Sequence, residues 1–150
     1  MSKIFLFIAY IFIFLNLAFV QARAEEIYTT DKLITIDIGK QKLYAWEGGR
    51  VVYETIVSTG VAKAPTVKGN FKIYWKLPRQ DMRGINPVYG KYFHKDVPNV
   101  MYFYKSYAIH GAYWHTAFGR RVSNGCINLP LEASQWIYDF APVGTQVVVY

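Results

Sequence analysis

The chain has 150 residues, 17 Lys and Arg against 10 Asp and Glu, a formal charge of +7 and a single cysteine. One cysteine excludes an internal disulfide framework, and the length suits one domain of modest core. The basic excess suits an anionic partner such as a cell envelope, but the lack of a basic run with interleaved aromatics excludes the pattern of a nucleic-acid binder.

The N-terminus opens with Met1-Ser2-Lys3, continues in an apolar run from Ile4 to Val20 broken only by Asn16, and reaches Gln21-Ala22-Arg23-Ala24. A basic start, an apolar core and an Ala-x-Ala ending predict a secretory signal peptide over residues 1–24, cleaved after Ala24. An uncleaved anchor is the alternative, because the run is just long enough to span a bilayer. Cleavage removes Lys3 and Arg23 and no acid, lowers the charge to +5, and leaves residues 25–150 as one exported domain with no stable membrane span.

From Asp31 onward the period is two. Leu33–Ile38, Lys42–Trp46 and Val51–Ser58 read as three strands of a meander, joined by the Gly-containing turns 39–41 and 48–50. A loop at Ala64-Pro65-Thr66 and a turn at Gly69-Asn70 lead to a strand over Phe71–Lys76. Residues 78–99, with Pro78, Gly84, Pro87, Gly90 and Pro98, predict a long loop without regular structure. Val100–Tyr104 and Tyr107–Ile109 predict a strand pair that delivers His110 at a strand end. Pro130 opens a helix over Leu131–Phe140, with Leu131, Ala133, Trp136, Ile137 and Phe140 at helical spacing, and Gln146–Tyr150 closes the chain as a strand. The fold class is mostly β, a sandwich or barrel-like arrangement with one main helix near the C-terminus.

The chemistry concentrates in residues 108–129, AIHGAYWHTAFGRRVSNGCINL, which hold Cys126, His110 and His115. A lone thiol in an oxidising compartment is a liability unless it is used, and Cys126 follows Ser-Asn-Gly instead of sitting in an apolar run. It reads as a reactive thiol, accessible and of lowered pKa, where an inert packing cysteine would be neither. His110 can accept its proton. Gly125 and Cys126 can present backbone N–H groups beside the helix start as an oxyanion hole, and Ser123 and Asn124 can add hydrogen bonds. A zinc site from His94, His110, His115 and Cys126 is the rival, but the paired ligand spacing and an HExxH pattern are lacking. His115 reads as a polar loop residue and His94 as exposed. Tyr113, Trp114 and Phe118 either pack or line a substrate groove; Arg120 and Arg121 are either solvated or receive a carboxylate.

The stretch from His110-Gly111 to Ser123-Asn124-Gly125-Cys126-Ile127-Asn128 resembles the signature of the L,D-transpeptidase (YkuD-type) catalytic domain. Ala64-Pro65-Thr66 with Gly69-Asn70-Phe71, Asp96-Val97-Pro98 with Met101-Tyr102-Phe103, and Pro142-Val143-Gly144-Thr145 are similar to further family segments, so the resemblance covers about residues 31–150. It implies a cysteine enzyme of the bacterial cell wall, without metal or organic cofactor, acting as a monomer on peptidoglycan stem peptides and acylated by carbapenems. Cys126 matches the nucleophile, His110 the base, Gly111 the carbonyl that orients the imidazole, Gly125 and Cys126 the oxyanion donors, and Ser123 the supporting hydroxyl. Tyr113, Trp114, Arg120, Arg121 and Asn128 are the expected substrate contacts. Asn124 stands where the family usually has His, and keeps a hydrogen-bonding role only. Two other readings stand beside the transpeptidase: an L,D-carboxypeptidase, and a wall-binding module with an incidental thiol.

Overall fold

The computed structural model describes Lys32–Tyr150, so the signal peptide expected over residues 1–24 lies outside the described residues. The elements are β1 (Lys32–Asp37), β2 (Lys42–Glu47), β3 (Arg50–Ile56), β4 (Gly69–Lys72), β5 (Trp75–Asn86), β6 (Gly90–Tyr104), β7 (Tyr107–Gly111), β8 (Ile127–Leu129), α1 (Leu131–Phe140) and β9 (Gln146–Val149). They form a five-stranded sheet in the order β3-β2-β1-β9-β4 and a four-stranded sheet in the order β5-β6-β7-β8. Among the described residues, the mostly-β expectation with one main helix near the C-terminus is borne out. Among the described residues, no helix is long and apolar enough to cross a membrane.

Alternation explains the first sheet. On β2, Leu43 and Ala45 are fully buried while Lys42, Tyr44 and Trp46 are half-buried on the other face. Ile34 and Ile36 of β1, Met101 and Phe103 of β6, Ile109 of β7, and Ala133, Ile137 and Phe140 of α1 meet in one core. Each large aliphatic side chain so buried contributes on the order of 1.5–3 kcal/mol. β9 runs parallel to β1 and antiparallel to β4, which locks the C-terminus into the sheet.

The helix departs from its expected face in detail. Ala133, Ser134, Ile137 and Phe140 are buried, whereas Leu131 is exposed and Trp136 lies at the rim, stacked on Tyr53 at 4.2 Å. Ser134 is inside because its hydroxyl is satisfied, donating to Leu131 O and accepting from Asn99 Nδ2. At the other end, Lys32 of β1 donates to Phe140 O, and Lys76 of β5 donates to Tyr138 O and Ala141 O. One lysine from each sheet thus covers carbonyls that a helix C-terminus leaves unpaired.

Three sequence expectations are corrected. The loop expected over 78–99 is the long hairpin β5–β6, and the strand expected over Phe71–Lys76 is divided between β4 and β5, in different sheets. Its Pro and Gly residues all have places in the hairpin. The register shifts between Gln80 and Met82, and Asp81 Oδ1 there accepts the N–H of Asp96. Asn86 Oδ1 accepts the N–H groups of Val88 and Tyr89 in the turn, and Gly90 follows at φ +84°. Gly84 faces Tyr92 across the hairpin, where a Cβ would lie 2.7 Å from the Tyr92 hydroxyl. The third correction concerns the segment after Cys126: the thiol sits in a bend immediately before the short strand β8, so a strand and not a loop leads on to the helix.

Candidate active site

Register puts the chemistry on one face. β7 and β8 are parallel, with Ile109 opposite Ile127, His110 opposite Asn128 and Gly111 opposite Leu129. Ile109, Ile127 and Leu129 point into the core at 0% exposure. A period of two therefore turns His110 and Asn128 to the opposite face, together with Ala108 and Cys126. Cys126 packs there beside Val97, Val100 and Ala108, with Met82, Tyr102 and Trp114 around it. Gly111 follows His110 because a Cβ would lie 2.6 Å from Ser134 Oγ and 3.0 Å from Pro98 Cγ.

This face forms the floor of a cavity of about 400 Å³. His110, Trp114, His115, Ser123, Asn124, Cys126 and Asn128 line it from the β7–β8 side, and Met82, Asn86, Tyr89, Tyr92 and His94 from the β5–β6 hairpin. His94 is half-buried, not exposed as expected: its ring lies flat on Trp114 with centroids 3.7 Å apart.

His110 is buried, and its Nδ1–H donates to Gly111 O at 3.0 Å, which leaves Nε2 as the bare nitrogen. Burial pushes the imidazole down to about 4, against the Gly111 contact, and the neighbouring rings of His94 and His115 push the same way as burial. Burial likewise pushes the Cys126 thiol up, partly offset by a hydrogen bond from the Ala108 backbone. Its Sγ donates to Ser106 O at 3.7 Å. The lowered thiol pKa expected from sequence is therefore reversed. Burial thus favours the neutral form of both the thiol and the imidazole in this cavity.

The loop carrying Ser123 to Cys126 is held by the segment after β3. Val122 and Ser123 donate their N–H groups to Thr59 O, and Val61 N–H donates to Ser123 O. Gly60 donates to Thr66 Oγ1, which in turn donates to Gly125 O. Gly60 has no room for a side chain, since a Cβ would stand 2.1 Å from Ala64 O. Ser123 Oγ donates to Cys126 O and accepts the Gly125 N–H at 3.1 Å. Gly125 takes φ +106°, with the Tyr107 ring where a Cβ would be. The Gly125 N–H assigned to an oxyanion hole is thus engaged by Ser123 here, and it lies at the entry to β8 instead of a helix start.

The remaining expected residues separate. Trp114, Asn124 and Asn128 line the cavity; burial pushes the Tyr92 hydroxyl's pKa up, and Asn124 holds it down against that rise. Tyr113 is exposed and donates to Lys95 O at 2.5 Å, while Arg120 and Arg121 are exposed; none of the three lines the cavity. Thr59, Gly60 and Thr66, and the hairpin residues Met82, Asn86, Tyr89 and Tyr92, were not singled out from sequence as part of the site. The Asn86-Pro87-x-x-Gly90 turn is the signal by which the hairpin could have been found. Among the described residues, no three His, Cys, Asp or Glu side chains gather as a metal site requires.

The model of the YkuD family, the L,D-transpeptidase catalytic domain, matches residues 31–149. The putative L,D-transpeptidase YciB of Bacillus subtilis (strain 168) is 24% identical over 136 residues, covering 77% of this chain and 64% of that protein. An L,D-transpeptidase structure from Mycobacterium smegmatis superposes with a TM-score of 0.72 at 28% identity, over 80% of this chain and 58% of that one. The structure of LD transpeptidase LdtMt1 in complex with imipenem gives 0.73 at 25% identity, over 80% and 59%. The chain thus spans less than two thirds of the length of each of these relatives. With nearly every described residue inside the family match, the chain belongs to the L,D-transpeptidase catalytic domain (YkuD) family.

Proposed function

We propose that this domain is a cysteine-dependent L,D-transpeptidase that forms 3→3 crosslinks between peptidoglycan stems. The observation that carries the reading is the placement of Cys126 and His110 on one face of one cavity, with Nε2 of His110 free to accept a proton. In the first half-reaction His110 takes the proton of Cys126 as sulfur attacks the carbonyl of the third stem residue. The tetrahedral intermediate collapses, the C–N bond to D-alanine breaks, and His110 returns the proton to the departing amine. In the second half-reaction the side-chain amine of a neighbouring stem attacks the thioester, His110 takes its proton, and the thiol is restored. Water in place of that amine would make the domain a carboxypeptidase.

The imipenem complex of the similar LdtMt1 supports carbapenems as acylating ligands of Cys126 in this chain. Export, with cleavage after Ala24, is part of the same reading, since the stems lie outside the cytoplasm. The N-terminal sequence of the protein recovered from cells tests it, and a chain still carrying residues 1–24 would contradict cleavage. Incubation of the purified protein with a disaccharide-tetrapeptide, analysed by mass spectrometry, tests the activity. Dimers lacking one D-alanine support the transpeptidase, and tripeptide alone points to hydrolysis. No turnover and no acylation would favour a wall-binding module.

A further inference from the structure

His115 and Asn128 belong to a closed ring of hydrogen bonds at the cavity wall. Ser58 and Asn128 exchange backbone N–H···O bonds at 2.9 Å in both directions. Ser58 Oγ donates to Ala117 O at 2.9 Å, Ala117 N–H donates to His115 Nδ1 at 3.1 Å, and His115 Nε2 lies 3.0 Å from Asn128 Nδ2. Among the described residues no buried side-chain polar atom is left without a partner. The far end of that carboxamide, which has no second hydrogen bond, therefore opens onto the cavity that Asn128 lines.

The ring fixes protons. An imidazole whose Nδ1 accepts a backbone N–H holds its lone pair there, and burial, which pushes His115 down, disfavours a second proton. The single proton is then on Nε2, where it needs an acceptor; the amide nitrogen that lies there offers none, so the network requires the Asn128 carboxamide turned end for end, with Oδ1 in place of Nδ2 against Nε2. His110 is the reverse case: its proton is on Nδ1, spent on Gly111 O, and Nε2 is bare. Two histidines in one cavity are held in opposite tautomers, one able to receive a proton and the other not.

We propose that His115 is a positioning residue which, as the Nε2–H tautomer, turns Asn128 so that its NH2 group faces the cavity and donates to a carbonyl oxygen of the bound peptide. The choice of a stem peptide as that ligand rests on the transpeptidase reading. A carboxamide turned the other way would present an acceptor to the same oxygen and repel it.

Two variants divide the ring. His115→Asn reaches only as far as Nδ1, so it can keep the Ala117 bond and loses Asn128; His115→Gln reaches as far as Nε2 and can donate to Asn128. We expect His115→Asn to raise KM for the tetrapeptide about tenfold with kcat little changed, and His115→Gln to restore most of it. Imidazole ¹⁵N NMR of the wild-type protein should show His115 protonated at Nε2 and His110 at Nδ1, whatever the activity. An Nδ1–H tautomer at His115, or equal kinetics in His115→Asn and wild type, would overturn the proposal. Loss of kcat alone, equal in both variants, would also overturn it. A wild-type protein that turns over no stem peptide would instead remove the transpeptidase reading, with the tautomer still reporting on the ring.

Discussion

At the scale of single residues, burial sets the behaviour of the site more than proximity of charges does. His110 is buried in its neutral form, so the folded state resists the proton that the unfolded chain takes up near 6.5. Its contribution to stability is complete above that pH and is lost as pH falls from 6.5 towards about 4, by at most about 3 kcal/mol. We expect urea midpoints to drop over this window and His110→Asn to flatten part of the drop. His94 and His115, also pushed down by burial, keep the rest. Thr66 is a second such point, because its hydroxyl joins Gly60 N–H to Gly125 O inside the protein. Thr66→Val leaves both groups unpaired and should cost about 2 kcal/mol in a denaturation measurement. These roles differ in how they can be read from sequence. Cys126, His110 and Ser123 belong to a compact motif whose chemistry names them, whereas Thr66 acts only through what the chain brings to it from 59 residues away.

At the scale of elements, legibility follows how strongly one face is buried. The β1–β3 meander and α1 carry a period because each has a dry side, and their bounds fall within a residue or two of those expected. The far half of the β5–β6 hairpin has no core to face: Ile85, Val88, Tyr89 and Phe93 are all exposed. Without a dry face, alternation has no cause, and the turn and bulge residues read as a loop. β8 is hidden for another reason, being three residues long and held by β7 and Ser58. Gly84→Ala tests the hairpin as a wall of the site. The added methyl must push the Tyr92 ring aside, so carbapenem acylation should slow about tenfold while stability changes by less than about 1 kcal/mol. Lys76→Met tests the helix clamp. It uncovers two carbonyls at the end of α1 and should lower unfolding free energy by about 1–2 kcal/mol without altering acylation.

At the scale of the whole molecule, the two sheets and the helix of the described residues enclose one main core, and a smaller apolar cluster beside it carries Cys126 at the cavity. The segment Val57–Val61 belongs to neither sheet by name, yet it bridges them, bonding Gln41 on one side and Asn128, Val122 and Ser123 on the other. That is why the thiol loop, which is far from β3 in sequence, is rigid enough to hold Gly125 at a conformation other residues avoid. Charge and composition suit an envelope partner without naming it, and the proposed function gives that partner a chemistry. The central claim is that Cys126 forms the acyl-enzyme, and mass spectrometry of the intact protein after exposure to imipenem tests it most directly. We expect a single adduct on the wild type, mapped to Cys126 and absent from a folded Cys126→Ala variant. An adduct that persists in Cys126→Ala, or a wild-type thiol that stays unmodified until the protein unfolds, would contradict the claim.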